Sequence, residues 1–343
     1  MAPRKKKENE QKIKKPQGNA YIAGAGTVVE SLVTETLKSN FMPYAMSVIV
    51  SRAIPEIDGF KPSHRKLLYT MYNMGLLKGS TVKSANIVGR TMQLNPHGDA
   101  AIYETMVRLS EGNEALLHPY VTSKGSFGKA YPRDMQCAAS RYTEAKAFSR
   151  DMMWAASRYT EAKLEKICAE LFADIDKDTV DFADNYDATM KEPVLFPVTF
   201  PSILVNANMG IAAGMASNIC PFNLREVCET TIAYIKDSDI NIADTLLAPD
   251  FPIGGELLYN RAELEKIYET GRGSFKVRGT YVYDKSNNCI DIKSIPPTTT
   301  TEAVIEKVID LVKLKKITEI NDIRDETDLG GLQITIDLKR GVD

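Results

Sequence analysis

Seventeen residues of this chain are written twice. Positions 130–146 and 147–163 agree at thirteen of seventeen places, including Ala-Ala-Ser-Arg-Tyr-Thr-Glu-Ala-Lys in full. The run is rich in small, helix-forming residues. Along one continuous helix, however, a step of seventeen residues turns the second copy by about 260° and carries it about 25 Å. The two copies therefore cannot fill one structural slot, and one of them is displaced. A surface loop absorbs extra residues at little cost because closure entropy grows only logarithmically, whereas an insertion in a packed helix rotates every later contact.

Composition bounds the rest. With 343 residues, 43% hydrophobic and 26% charged, the chain has the make-up of a soluble globular protein long enough for two domains. Disordered, collagenous and disulfide-scaffold classes are excluded. No apolar run reaches the roughly 18 residues a bilayer span needs. The Lys-rich stretch Met1 to Lys15 has no apolar segment, so the expected location is cytoplasmic, with no membrane partner. Cys137, Cys168, Cys220, Cys228 and Cys289 form no CxxC pair and read as buried free thiols. A net charge of −2 announces no polyanionic partner by itself. Charge is segregated, though. Arg52 to Arg108 holds eight Lys or Arg against four acids, and Asp174 to Asp187 holds six Asp against one Lys.

A helical period runs from Leu32 through Leu37, Phe41, Ala45 and Val48 until Pro55 stops it, and a second helix follows Pro62. In that helix Leu67, Leu68, Met71 and Met74 make an apolar face, and His64, Arg65 and Lys66 occupy the first turn, reaching outward. A third helical stretch, about Val82 to Leu94, ends at Asn95-Pro96-His97-Gly98, and Asp99 caps a fourth that runs to about Leu109. Two helices joined by a short Pro/Gly turn and flanked by cations form a helix-turn-helix pattern suited to duplex DNA. The polar stretch Tyr120 to Tyr131 suits a β-wing. Amphipathic helix resumes from about Leu164 through Ile167, Leu171 and Ile175. After the Pro/Gly-punctuated Phe196 to Pro221, strands are expected over 274–283, 289–294 and 331–338, with a helix over 302–314.

Several ordered segments carry more. Ser51-Arg52-Ala53-Ile54-Pro55, Lys61-Pro62-Ser63-His64-Arg65-Lys66, Asn95-Pro96-His97-Gly98-Asp99, Gly125-Ser126-Phe127-Gly128, Ser157-Arg158-Tyr159-Thr160-Glu161 and Gly210-Ile211-Ala212-Ala213-Gly214 stand in sequence. In these motifs the chain closely resembles the A subunits of bacterial type IIA topoisomerases, the gyrase and topoisomerase IV group, over nearly all of its length beyond residue 30.

The resemblance implies an α+β fold: a disordered basic arm over 1–30, a winged-helix breakage-reunion domain over 31–175, and a mixed α/β tower-like domain over 176–343, ending before the family's coiled coil and exit gate. It implies transient double-strand breakage through a 5′-phosphotyrosyl link. The duplication offers two nucleophiles, Tyr142 and Tyr159, each beside an arginine, Arg141 and Arg158. Tyr142 keeps the family's spacing from the Gly125 motif and Tyr159 keeps its link to the segment starting at Leu164; Tyr159 is favoured. A phenol, with pKa near 10, is an acceptable nucleophile and a reasonable leaving group on reversal, and a neighbouring guanidinium can hold the pentavalent phosphate.

By the same resemblance Arg52, Lys61, His64, Arg65, Lys66, His97 and Arg108 match positions that meet DNA. Asn95 departs from the family's usual His. Ile211 matches an apolar wedge between base pairs. Ala100 and Glu104 match the quinolone-contacting Ser and acid; Ala replaces the Ser, so weaker drug trapping is expected. The sequence has no Walker loop, and the incipient calcium loop at Asp174, Asp176 and Asp178 fails at Thr179 and Asn185. No metal or ATP site is thus expected in this chain. The resemblance implies that Mg²⁺ and ATP belong to a partner B subunit, in an A2B2 heterotetramer built on an A2 dimer and associated with the nucleoid. The alternative is a non-catalytic winged-helix DNA-binding protein.

Overall fold

The computed structural model describes residues 32–111, 115–128, 154–252, 254–297, 299–327 and 331–341. The basic arm expected over residues 1–30 lies outside them. The chain divides into two units, Met1–Tyr44 and Ala45–Asp343. Helix α1 spans Val33–Val48 and has Pro43 inside it.

The second unit combines helices with antiparallel sheets, an α+β architecture. A π-helical turn, Ile49–Ala53, leads towards α2 (Pro62–Asn73), whose first-turn proline lacks an N–H that would have had no partner there. Leu67, Leu68 and Met71 recur on one face of α2 and are fully buried. Ile87 from α3 (Ser84–Thr91) joins their cluster, as do Ile102 and Met106 from α4 (Asp99–Arg108), with Phe60, Tyr120 and Phe196 completing it. Each such side chain contributes roughly 1.5–3 kcal/mol on burial. The expected cap on α4 shifts by one residue. Gly98, at φ +98°, takes the cap position, and Asp99 is the first helical residue, its Oδ1 accepting the Ala100 N–H at 2.9 Å.

Strands β1 (Val82–Lys83), β2 (Val121–Lys124) and β3 (Glu161–Leu164) form a sheet in the order β1-β3-β2, with Glu161 facing Lys83 on one side and Lys124 on the other. Here two sequence expectations fail. The helix-forming residues 157–159 around Arg158-Tyr159 make a turn that feeds β3 rather than a helix. The helix expected from Leu164 to Ile175 shrinks to α5 (Cys168–Leu171) and a 3₁₀ turn (Ile175–Lys177). Ala162 and Leu164 alternate into the core, and β3 is paired along both edges. That packing outweighs the modest helix preference of Ala, Glu, Lys and Leu, a few tenths of a kcal/mol per residue.

Beyond the core lie two hairpins, β4 (Phe182–Asp184) with β5 (Lys191–Pro193) and β6 (Asn208–Ala212) with β7 (Met215–Ile219). Helices α6 (Leu224–Lys236) and α7 (Arg261–Thr270) and the short pair β8 (Glu256–Leu257) with β9 (Val277–Arg278) follow. A four-stranded sheet comes last, in the order β10 (Tyr281–Asp284), β11 (Cys289–Ile292), β13 (Ile334–Leu338), β12 (Ile320–Asp325). Val304 and Ile305 of α8 (Thr301–Lys313) pack on its Ile295, Leu332 and Ile334 cluster. The strands expected over 289–294 and 331–338 and the helix expected over 302–314 are present as β11, β13 and α8, but the single strand expected over 274–283 divides into β9 and β10, which pair in different sheets; β12, α6 and α7 were not foreseen.

Candidate functional site

The start of α2 and the end of α4 bring three of the expected DNA-contacting residues together, Lys61, His64 and Arg108. Lys61, at the cap of α2, donates from Nζ to the Met209 carbonyl at 2.8 Å. Burial, and then the charge of Arg108, lower its pKa. His64, one turn on, is pushed down to about 3, first by desolvation and then by the Lys61, Arg108 and Arg65 charges. It is therefore a neutral imidazole at physiological pH, able to accept a hydrogen bond. Arg108 is exposed and ion-paired to Glu104 at 2.6 Å, a surface contact of small energetic weight. Arg52, on the π-helical turn, and His97, before α4, are exposed.

Arg65 and Lys66 do not join this surface. Arg65 turns into the core, where its Nε lies 2.7 Å from Asp58 Oδ2 and its Nη2 lies 2.9 Å from Asp58 Oδ1 and 3.2 Å from the Phe60 carbonyl. Its side chain is 7% exposed, so the outward reach expected of it is corrected. The same Asp58 accepts the Phe60 and Phe196 N–H groups, and its carbonyl accepts the Ser202 hydroxyl. One buried carboxylate thus ties α2 to the 196–202 segment. Lys66, half-buried, donates to the Leu94 carbonyl at 2.9 Å and meets Glu192 at 3.2 Å. Asn185 holds the neighbouring Gln93 carbonyl at 2.9 Å. Lys66 and Asn185 therefore brace the turn between α3 and α4.

The β6–β7 hairpin packs on this base. Asn208 donates to the Gly59 carbonyl at 2.6 Å, and Gly210 lies against Ala53, the residue after Arg52. Ile211, next along, is 74% exposed, an apolar side chain held out on a short, rigid hairpin. A Cβ at Gly210 would stand 2.3 Å from the Ala53 carbonyl oxygen, a backbone atom that cannot step aside. Gly210→Ala is expected to displace the hairpin and to lower stability by roughly 1–3 kcal/mol. Urea unfolding checks this, and an unchanged midpoint would contradict the close approach.

Tyr142 and Arg141 lie outside the described residues. Arg158 and Tyr159 are exposed on the turn before β3, with the guanidinium carbon 4.6 Å from the centre of the tyrosine ring. Around them the chain is anchored. The Ala155 N–H donates to the Ser126 carbonyl, and the Tyr159 N–H closes the turn onto the Ala156 carbonyl at 2.9 Å. Buried Thr160 hydrogen-bonds with Tyr103, which also donates to the Ala155 carbonyl at 2.7 Å. Beyond it Glu161 meets Thr81, Lys83 and Lys124, contacts that hold its carboxyl down at about 2. Helix α4 links the two groups, since its Tyr103 holds the tyrosine turn while its Arg108 shares the field of Lys61 and His64. Sequence reading missed Asp58, Tyr103 and Thr160: an Asp-Gly turn, a helical Tyr and a Thr give no outward sign that they hold a site together.

Among the described residues, no three His, Cys, Asp or Glu side chains gather as a metal site would require. No helix among them is long and apolar enough to cross a membrane.

Known proteins match along nearly the whole chain. The family model for the A subunit of DNA gyrase/topoisomerase IV matches residues 52–150 and 146–343. The two stretches meet at the repeat, one running through the first copy and the other through the second. The DNA gyrase A subunit of Borreliella burgdorferi is 41% identical over 91% of this chain and 37% of its own length. Those of Halalkalibacterium halodurans and Staphylococcus aureus are 41% and 40% identical over 91% of this chain, and 36% and 34% of theirs. The chain thus spans about a third of the length of these relatives. With both halves of the family match in place, the chain belongs to the family of DNA gyrase and topoisomerase IV A subunits.

Proposed function

We propose that this chain carries the DNA-cleaving part of a type II topoisomerase A subunit, with Tyr159 as nucleophile. The observation that carries the reading is the exposed Arg158–Tyr159 pair on an anchored turn, in a chain of this family. The Tyr159 hydroxyl gives up its proton and its oxygen attacks a backbone phosphorus. The bond to the 3′ oxygen breaks, that oxygen takes up a proton, and a 5′-phosphotyrosyl ester remains. One ester replaces another, so religation is the same step reversed. Arg158 supplies planar donors to the charge that builds on the phosphate. Arg52, Lys61, neutral His64, His97 and Arg108 line the path of the DNA backbone, and Ile211 is the wedge that opens a base step.

In this reading α2 to α4 with β1 to β3 form the winged-helix domain, the β2–β3 segment being its wing, and the later sheet and helices form the tower-like domain. Duplex DNA is the substrate. Mg²⁺ and ATP are held by a B subunit, whose metal charge would join Arg158 at the phosphate, and the working assembly is A2B2. Reconstitution with the B subunit, Mg²⁺ and plasmid tests the reading. Denaturation is expected to leave protein covalently attached to 5′ DNA ends; salt-sensitive binding without adducts would instead establish a non-catalytic DNA-binding protein.

The drug-site positions give a second test. Ala100 and Glu104 are one turn apart on α4, and Ala100 has no hydroxyl to offer a quinolone's bound water. Ala100→Ser is expected to give equal drug-stabilised cleavage at a roughly tenfold lower quinolone concentration, the scale of one charge-assisted hydrogen bond. Identical dose curves for both forms would refute the assignment.

A further inference from the structure

The backbone on either side of Arg158 and Tyr159 is gripped from one helix end. The first two amides of α3 have no partner within the helix, as the physics of helix termini requires. Ser84 N–H donates instead to the Thr160 carbonyl at 3.0 Å, and Ala85 N–H to the Ser157 carbonyl at 3.0 Å. Only Arg158 and Tyr159 lie between those two anchored carbonyls. Beneath them runs a buried line of hydroxyls. Thr160 Oγ1 is 2.8 Å from Ser84 Oγ and 2.8 Å from the Tyr103 oxygen, which is 2.7 Å from the Ala155 carbonyl oxygen. Ser84 and Thr160 are fully buried and Tyr103 nearly so. Gly125, at φ +105°, lies so close to this line that an added Cβ would stand 3.3 Å from the Thr160 methyl carbon.

We propose that Tyr103 and Thr160 are positioning residues for strand cleavage: their hydroxyl line, with the α3 amides, fixes the turn that aims the Tyr159 oxygen, although neither touches DNA. The proposal rests on Tyr159 being the nucleophile. Burial raises the Tyr103 phenol to about 12, so it remains a protonated donor to Ala155 throughout the working pH range. A reacting oxygen misplaced by about 1 Å can lose on the order of a hundredfold in rate while binding is untouched. Cleavage rate, not affinity, is therefore the sensitive quantity.

The experiment compares Tyr103→Phe, Thr160→Val and Thr160→Ser with the unaltered protein, each reconstituted with the B subunit. Thermal melting, DNA Kd and the first-order cleavage rate at saturating DNA and Mg²⁺ are measured for each. Tyr103→Phe and Thr160→Val are expected to slow cleavage about ten- to a hundredfold at unchanged Kd. Thr160→Ser, which restores the hydroxyl, stays within about threefold of the unaltered protein. Should Thr160→Val fail to fold, Tyr103→Phe, which loses a single oxygen, decides. A folded variant that cleaves at the unaltered rate, a Ser variant as slow as the Val one, or a Kd that worsens in step with the rate overturns the proposal. Tyr159→Phe is the control: if it still forms adducts the nucleophile is elsewhere, and if it forms none while Tyr103→Phe and Thr160→Val cleave normally, only the positioning role falls.

Discussion

Tyr159→Phe is expected to cut covalent DNA adducts by at least about a thousandfold, the scale on which loss of a covalent nucleophile shows, whereas Tyr142→Phe leaves them within about twofold. Phe keeps the ring beneath the Arg158 guanidinium, 4.6 Å away, and keeps the turn hydrogen bonds, which are made by backbone. Only the attacking oxygen is removed. Mutagenesis is needed because peptide mapping is blind to the choice: trypsin releases the same Tyr-Thr-Glu-Ala-Lys after Arg141 and after Arg158. Separate Phe variants, with adducts run on a denaturing gel, resolve it. Adducts that survive in Tyr159→Phe and vanish in Tyr142→Phe reverse the assignment.

Asp58→Ala is expected to produce a comparably large loss, in stability rather than chemistry. Asp58 is 1% exposed and neutralises Arg65 through two short contacts while accepting two backbone N–H groups. Removing it strands a guanidinium in the core, at a cost of about 3–5 kcal/mol. Adding Arg65→Met to Asp58→Ala removes the stranded charge and is expected to recover a large part of that loss, because replacing both partners of a buried pair is far milder than removing one. Urea unfolding of the single and double variants measures both effects. A loss below about 1 kcal/mol for the single variant would mean the pair is solvated.

Much of the first half of the fold was legible in sequence because its signals are local. Pro62 marks the start of α2, the spacing of Leu67, Leu68 and Met71 marks its inner face, and Pro96-His97-Gly98 marks the break before α4. What could not be read depends on partners distant in the chain. Arg65 has the pattern of a surface cation, and only Asp58 and the Phe196 segment, brought in by folding, give it a buried carboxylate. Glu161 to Leu164 has a helical composition and becomes a strand because β1 and β2 stand ready on both sides. At the candidate site the identities of Arg158, Tyr159, Lys61 and Ile211 were readable as motifs. Their support was not: Tyr103, Thr160 and Asp58 are recognised only by what they touch.

Tyr103 and Arg108 ride on the same helix, five residues and roughly 7.5 Å apart along its axis. A helix of ten residues packed into a core moves as one stiff rod. Any load on the cation at its far end is therefore felt at the tyrosine turn as a tilt rather than absorbed between them. If Arg108 meets DNA and Tyr159 cuts it, as proposed, taking hold of the duplex and taking aim at it become a single mechanical event.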